Sequence, residues 1–147
     1  MEITDLPSQP VVAIKVSAPR EKMADEIRRI YTALAAYMQA QGVEAAGPPY
    51  ASFQFAGDQM TLDAGFPVAE ALPGEGEIVA GELPGGKHAV SLHVGPFDQV
   101  GGTYEALFRW IAEQGLRPAG GPREVYLTDP QSTTPDQLRT EVVCLVR

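Results

Sequence analysis

The chain has 147 residues, a formal net charge of −8, and a composition that is 44% hydrophobic and 20% charged, which is typical of one globular domain with a hydrophobic core. The acidic charge argues against direct contact with nucleic acid, one cysteine excludes an intrachain disulfide, and two histidines make a zinc site improbable. Because the acidic, proline-bearing start is no signal peptide and no apolar run is long enough to cross a membrane, we expect a cytoplasmic protein with no cofactor, metal or membrane contact.

The first half of the chain predicts a β-α-β-β unit over about residues 11–68. Residues 11–16 form a short β-type run, and apolar residues then recur at helical spacing from Met23 to Met38. Gly42 stops this helix. Residues 50–55 and 60–68 read as two strands joined by a Gly-Asp turn.

The second half predicts the same order over about residues 77–147. Strands are expected at residues 77–83 and 87–94, a helix from Val100 that Gly115 ends, and two last strands at 124–128 and 138–146. We expect the strand at 77–83 to be an added partner of this second unit.

The two halves repeat one sequence. Tyr31 aligns with Tyr104 and Gly42 with Gly115, and further on Asp63 aligns with Glu141. Two such units predict a single α+β domain over residues 1–147, in which a curved antiparallel sheet carries the two main helices on one face. A duplicated unit usually forms a pseudo-two-fold pair, so we expect a ligand groove at that axis, with the matched acids placing negative charge in it.

Strand alternation suggests how an acid reaches such a groove. In the last strand Thr140 and Val142 share one face and Glu141 and Val143 the other, and because both faces are apolar neither is expected to be fully wet. A carboxylate among apolar side chains resists ionisation, and a bound cation reverses that preference. Aromatic faces add cation–π attraction. The candidate aromatic walls are Tyr50, Phe53, Phe66, Trp110 and Tyr126.

Each candidate also has a purely structural interpretation. Glu141 and Asp63 could be exposed strand acids, and a core tryptophan is more common than a ligand platform at Trp110. His93, which precedes a Gly-Pro turn, could be a hydrogen-bonded structural residue. Cys144 shares a face with apolar residues and reads as an inert core thiol.

Four strings in the second half, HVGPF at 93–97, YEAL at 104–107, EVYLTDP at 124–130 and TEV at 140–142, resemble the GyrI-like family. This is the bacterial multidrug effector-binding domain, which occurs alone or behind AraC-type or MerR-type DNA-binding domains. The agreement runs from about residue 11 to 147. Departures are Phe97, where the family usually has tyrosine, Leu145 in place of proline, and Asp63 in place of the more common glutamate.

The resemblance implies a stand-alone protein that binds a cationic, aromatic or amphipathic small molecule, as a ligand sensor in transcription or in drug sequestration. It implies that Glu141 meets the positive charge. Alternatives are a hydrolase of cyclopropanoid-type genotoxins, with Glu141 as base, Tyr126 as proton donor and Glu124 as a second acid near the turn, and a protein that modulates DNA gyrase. We expect binding without catalysis, and a DNA-binding regulator or gyrase as a possible protein partner. The expected ligand-binding set is Glu141, Asp63, Tyr126, Tyr50, Phe53, Phe66, Trp110 and His93.

Overall fold

A computed structural model describes all of residues 1–147, which divide into two compact units. The first unit is Ser8–Leu83, and the second unit is Met1–Pro7 together with Pro84–Arg147. Each unit contains four antiparallel strands and one long helix, which confirms the predicted α+β class. The elements in chain order are β1 (Glu2–Leu6), β2 (Gln9–Pro19), α1 (Met23–Ala40), β3 (Tyr50–Ala56), β4 (Gln59–Pro67), β5 (Val79–Leu83), β6 (Gly86–Val94), α2 (Val100–Glu113), β7 (Arg123–Tyr126) and β8 (Arg139–Leu145).

In the first unit the strands lie in the order β3, β4, β2, β5. The helix α1 packs against β2 and β4 through Ile30 and Leu34, which are fully buried. Gly42 ends α1 in the left-handed conformation, with φ of 69°. The Val43 N–H then donates to the Met38 carbonyl at 2.9 Å, which satisfies a carbonyl that the helix leaves free.

In the second unit the order is β1, β6, β8, β7. The helix α2 buries Leu107 and Ile111 against Ala89, Val142 and Cys144, all with no exposed surface. The Cys144 thiol is therefore a core group, and burial raises its pKa. The end of α2 repeats that of α1, at Gly115 with φ of 73°. Neither helix is long and apolar enough to cross a membrane.

The edge strands differ from the prediction. The segment expected to extend the second unit is β5, and it pairs instead with β2 of the first unit, from Gln9↔Leu83 to Ala13↔Val79. The reason is that β6 has no free edge. It pairs with β8 on one side and, on the other, with β1, a strand that the sequence analysis did not predict. The partner strand of β5 is therefore determined by pairing between segments that are distant in the chain, which the local sequence pattern does not show.

Strand register assigns each side chain to a face, because residues directly opposite each other in antiparallel strands point the same way. We call the face under a unit's helix its helix face and the opposite one its far face. In the second unit the helix face carries two rows across β6, β8 and β7. The first row is Ser91, Val142 and Glu124, and the second is His93, Thr140 and Tyr126.

Candidate functional site

The helix face of the second unit holds a buried carboxylate, Glu124, which is 7% exposed. It stands on β7 directly opposite Val142, a residue of the core under α2. The Tyr104 hydroxyl donates to Oε2 at 2.8 Å and the Tyr126 hydroxyl donates to Oε1 at 3.2 Å. One phenol comes from the helix and one from the strand, so both carboxylate oxygens are held by proton donors.

Burial dominates the electrostatics of this group. It raises the pKa of Glu124, although the hydrogen bonds from Tyr104 and Tyr126 and the nearby His93 act in the opposite direction. The pKa of Tyr104 is also raised, first by burial and then by the negative charge of Glu124. The carboxyl group therefore takes up a proton more readily than an exposed glutamate does, and a cation placed beside it would favour the charged form.

Each of the two tyrosines that hold the carboxylate contacts a phenylalanine ring. Phe97, which is 37% exposed, meets the Tyr126 ring edge-on at 5.7 Å between centroids and an interplanar angle of 85°. Phe108 stacks on Tyr104 at 6.3 Å. Ring faces attract cations through their quadrupole. Of these four rings, only Tyr126 was predicted from the sequence to be a ligand wall.

His93 lies in the same face and is 8% exposed. Its Nε2 lies 2.9 Å from the Pro96 carbonyl, and its Nδ1 lies 2.9 Å from the Thr103 hydroxyl. Since a carbonyl only accepts hydrogen bonds, Nε2 carries a proton. Both ring nitrogens are thus occupied within the protein, as the structural interpretation of this histidine requires.

Glu141 is placed differently. It lies on the far face of the second unit, half-buried, with Leu92 and Val125 as its partners in register. The predicted alternation of the last strand is correct, but it puts Glu141 and Tyr126 on opposite sides of the sheet. The two side chains therefore do not face one substrate from the same side.

The first-unit acid, Asp63, also lies on a far face, beside Lys15 and Ser52. Burial raises its pKa, and the charge of Lys15 opposes that effect. No side chain fits at the neighbouring Gly65, because a Cβ there would meet the Val12 carbonyl oxygen as well as Tyr50. A Cβ on Gly65 would lie 2.9 Å from the Tyr50 hydroxyl oxygen. Tyr50 is 5% exposed and so packs within the protein.

The remaining aromatic candidates are Phe53, Phe66 and Trp110. Phe53 and Phe66 share the face under α1, where Phe66 meets Tyr31 edge-on at 5.4 Å. Phe66 also borders a surface cavity of about 510 Å³ at the end of α1, with Met38 among its lining residues. Trp110 is partly buried against the core under α2. Of the predicted set, Tyr126 and His93 therefore share the helix face of the second unit with Glu124, whereas Glu141 lies on the far face.

The repeat shows that this polar cluster belongs to one unit only. Positions that are polar on the helix face of the second unit are apolar at the matched places of the first. Sequence alignment and strand register agree in matching Ala51 to Glu124, Phe53 to Tyr126 and Leu62 to Thr140, and register also matches Val16 to His93. The signal that could have identified Glu124 was therefore present: an acid in the repeat where its counterpart is a buried alanine. No group of three or more His, Cys, Asp or Glu side chains is arranged to hold a metal ion.

The whole chain, residues 1–147, matches the family described as the GyrI-like small molecule binding domain. None of the curated proteins compared with the sequence matches it.

Solved structures with the same fold include the C-terminal domain of EcmrR, with a TM-score of 0.85 and 20% identity, covering 99% of this chain and 96% of that one. This chain spans 56% of EcmrR as solved in its complex with DNA. A hydrolase from Listeria innocua has a TM-score of 0.75 at 15% identity, with 99% and 91% covered. SAV2435, solved with tetraphenylphosphonium bound, has a TM-score of 0.68 at 16% identity, with 99% and 93% covered.

Proposed function

Because the chain belongs to the GyrI-like family of small-molecule binding domains, we propose that it binds an organic cation whose positive charge is met by Glu124. The observation that carries this proposal is the buried carboxylate itself, which takes a hydrogen bond from each of two tyrosines and lies among aromatic rings. Glu141, the acid favoured by the sequence, lies on the other face of the sheet.

The energetics favour a cationic ligand. A buried carboxylate is costly unless it is paired with a positive charge or well hydrogen-bonded. Tyr104 and Tyr126 supply two hydrogen bonds, yet the pKa of Glu124 remains raised, so solvation by the protein is incomplete. A ligand cation would supply the missing stabilisation, and the faces of the surrounding rings would add about 0.5–2 kcal/mol each where they are well placed.

The solved relatives support the ligand class and suggest a role. SAV2435 is known with a bound tetraphenylphosphonium, a hydrophobic aromatic cation. EcmrR is known in complex with DNA. We therefore assign the chain a role as a cation sensor that acts with a DNA-binding regulator, or as a protein that sequesters such compounds.

The test is titration of the protein with tetraphenylphosphonium by calorimetry, using the wild type and two charge-removing variants. Glu124→Gln is expected to weaken binding at least tenfold, whereas Glu141→Gln, one strand away on the other face, is expected to change it less than about threefold, as remote positions do. Loss of binding in Glu141→Gln alone would overturn the assignment of Glu124.

A hydrolase is the second candidate, because Glu124 combines a raised pKa with two adjacent phenols. In such a reaction Glu124 would take a proton from water as the water oxygen bonds to a carbon of the strained ring. The ring C–C bond at that carbon would break, and a tyrosine would donate a proton to the atom that receives its electron pair. Incubation with a cyclopropane-bearing alkylating agent, followed by mass spectrometry, tests this. Water addition that disappears in Glu124→Gln and falls in Tyr126→Phe would establish catalysis. An unchanged compound after prolonged incubation with tightly binding protein would exclude it.

A further inference from the structure

Thr140 carries a hydroxyl that the protein itself leaves unused. The residue has no exposed surface, and its Oγ1 has no hydrogen-bond partner. It stands on β8 between His93 and Tyr126, on the helix face that also carries Glu124. Buried polar groups are nearly always hydrogen-bonded, so an unpaired one calls for a reason.

The neighbours of Thr140 are engaged elsewhere. His93 uses one ring nitrogen on the Pro96 carbonyl and the other on Thr103. Tyr126 donates its proton to Glu124. The arrangement is specific to the second unit, because the matched residue of the first unit is Leu62, which is also fully buried and needs no partner. A valine would fill nearly the same volume as the threonine without an unpaired hydroxyl.

Register makes Thr140 and Glu124 diagonal neighbours on one face of the sheet. Glu124 is directly opposite Val142, and Thr140 is two residues along the same strand and on the same face. Such diagonal neighbours are about 7–8 Å apart at the backbone, a span that a single small molecule bridges. One ligand can therefore present its charge to Glu124 and a second group to Thr140.

We propose that Thr140 is a specificity-determining residue whose hydroxyl hydrogen-bonds a neutral polar group of the ligand. The ligand is then an organic cation that also carries a hydroxyl, amide or similar group a few atoms from its charge, in preference to a cation built only of hydrocarbon. This inference rests on the proposed function, because it assumes that Glu124 receives the charge.

The test compares tetraphenylphosphonium with the three isomers in which one phenyl ring bears a hydroxyl, so that the added group lies at different distances from phosphorus. Calorimetry on the wild type is expected to show at least one isomer binding about five- to tenfold more tightly than the parent, the gain typical of one satisfied buried hydrogen bond. In Thr140→Val the ratio of the two affinities is expected to fall to about one. Thr140→Ser, which keeps a hydroxyl, is expected to retain most of the preference.

A second readout needs no ligand. Removing an unpaired buried hydroxyl is expected to raise the Tm of Thr140→Val by about 2–6 °C. A lower Tm in that variant would show that the hydroxyl is already satisfied inside the protein, and would overturn the proposal. So would an isomer preference that persists in Thr140→Val, or equal binding of all four cations to the wild type. If Glu124→Gln leaves binding of every cation unchanged, the proposed function fails instead, and this inference fails with it.

Discussion

Glu124→Gln removes one negative charge while leaving the shape of the side chain nearly unchanged. Glu124→Gln keeps the side chain's size and one carbonyl oxygen that Tyr104 or Tyr126 can still approach, but it removes the negative charge. Hydrogen bonds to charged groups contribute about 1.5–3 kcal/mol, so a cation that loses this partner is expected to bind about 10- to 150-fold more weakly. Since the pKa of Glu124 is raised by burial, the free variant is expected to fold at least as well as the wild type at neutral pH.

The difference in affinity between the wild type and Glu124→Gln can be measured as a difference in the ligand-induced shift of Tm. A ligand at about 100 times its Kd stabilises a protein by about 2.7 kcal/mol, which corresponds to about 5–11 °C in Tm for a chain of this size. If Glu124→Gln weakens binding about a hundredfold, the same concentration gives about 0.4 kcal/mol and a shift of about 1–2 °C. Tetraphenylphosphonium is a suitable probe.

Glu141→Gln is the matched control, because it makes the same chemical change in the neighbouring strand on the other face of the sheet. It is expected to keep the full ligand-induced shift. Equal losses in the two variants would mean that the charge is sensed at long range and not by contact. If only Glu141→Gln loses the ligand-induced shift, the argument from burial is refuted, and Glu141 is the acid that meets the cation, as the sequence predicted.

The remaining predictions concern pH and packing. Affinity for a cation is expected to rise with pH, by up to about tenfold per unit, until the pH passes the raised pKa of Glu124, and to be flat over that range in Glu124→Gln. Without ligand, the free energy of unfolding is expected to fall as the pH rises. The folded state holds the Glu124 proton more tightly than the unfolded chain, so the stability due to that proton is complete below the unfolded pKa and is lost as pH rises through the folded one. Urea titrations at several pH values are expected to show this slope in the wild type and not in the variant. Leu107→Ala, at a fully buried position, is expected to cost about 2–5 kcal/mol of unfolding free energy, whereas Leu92→Ala, at a position that is 48% exposed, is expected to cost less than about 0.5 kcal/mol.

Local signals in the sequence predicted the elements well. Gly42 and Gly115 both end helices in the left-handed conformation, because glycine alone adopts it without strain and its signal needs no knowledge of the rest of the fold. Alternation also placed Thr140 and Glu141 on the correct opposite faces of the last strand. These features depend on residues that are neighbours along the chain.

Pairing and burial depend on distant residues, and there the sequence was insufficient. Nothing local to β5 shows that the edge of β6 is occupied by β1, so its partner was predicted wrongly. Alternation likewise separates Glu124 from Val125 without showing which of the two faces lies under α2. Glu141 looked the better candidate because its same-face neighbours in β8 are apolar. One of the two hydrogen bonds that single out Glu124 comes from Tyr104, twenty residues earlier in the chain.

The comparison of the two units explains why only one of them can hold such an acid. Tyr31 and Tyr104 occupy matched positions, but Tyr31 gives its proton to the Tyr50 carbonyl at 2.6 Å, while Tyr104 gives its proton to Glu124. The residue matched to Tyr126 is Phe53, which has no hydroxyl to offer. A glutamate in place of Ala51 would therefore be buried with neither phenol available, at a cost of several kcal/mol for an unpaired charge. The carboxylate and its second phenol depend on each other, so a site of this kind requires both substitutions in the same copy of the repeat, and the second unit is the copy that has them.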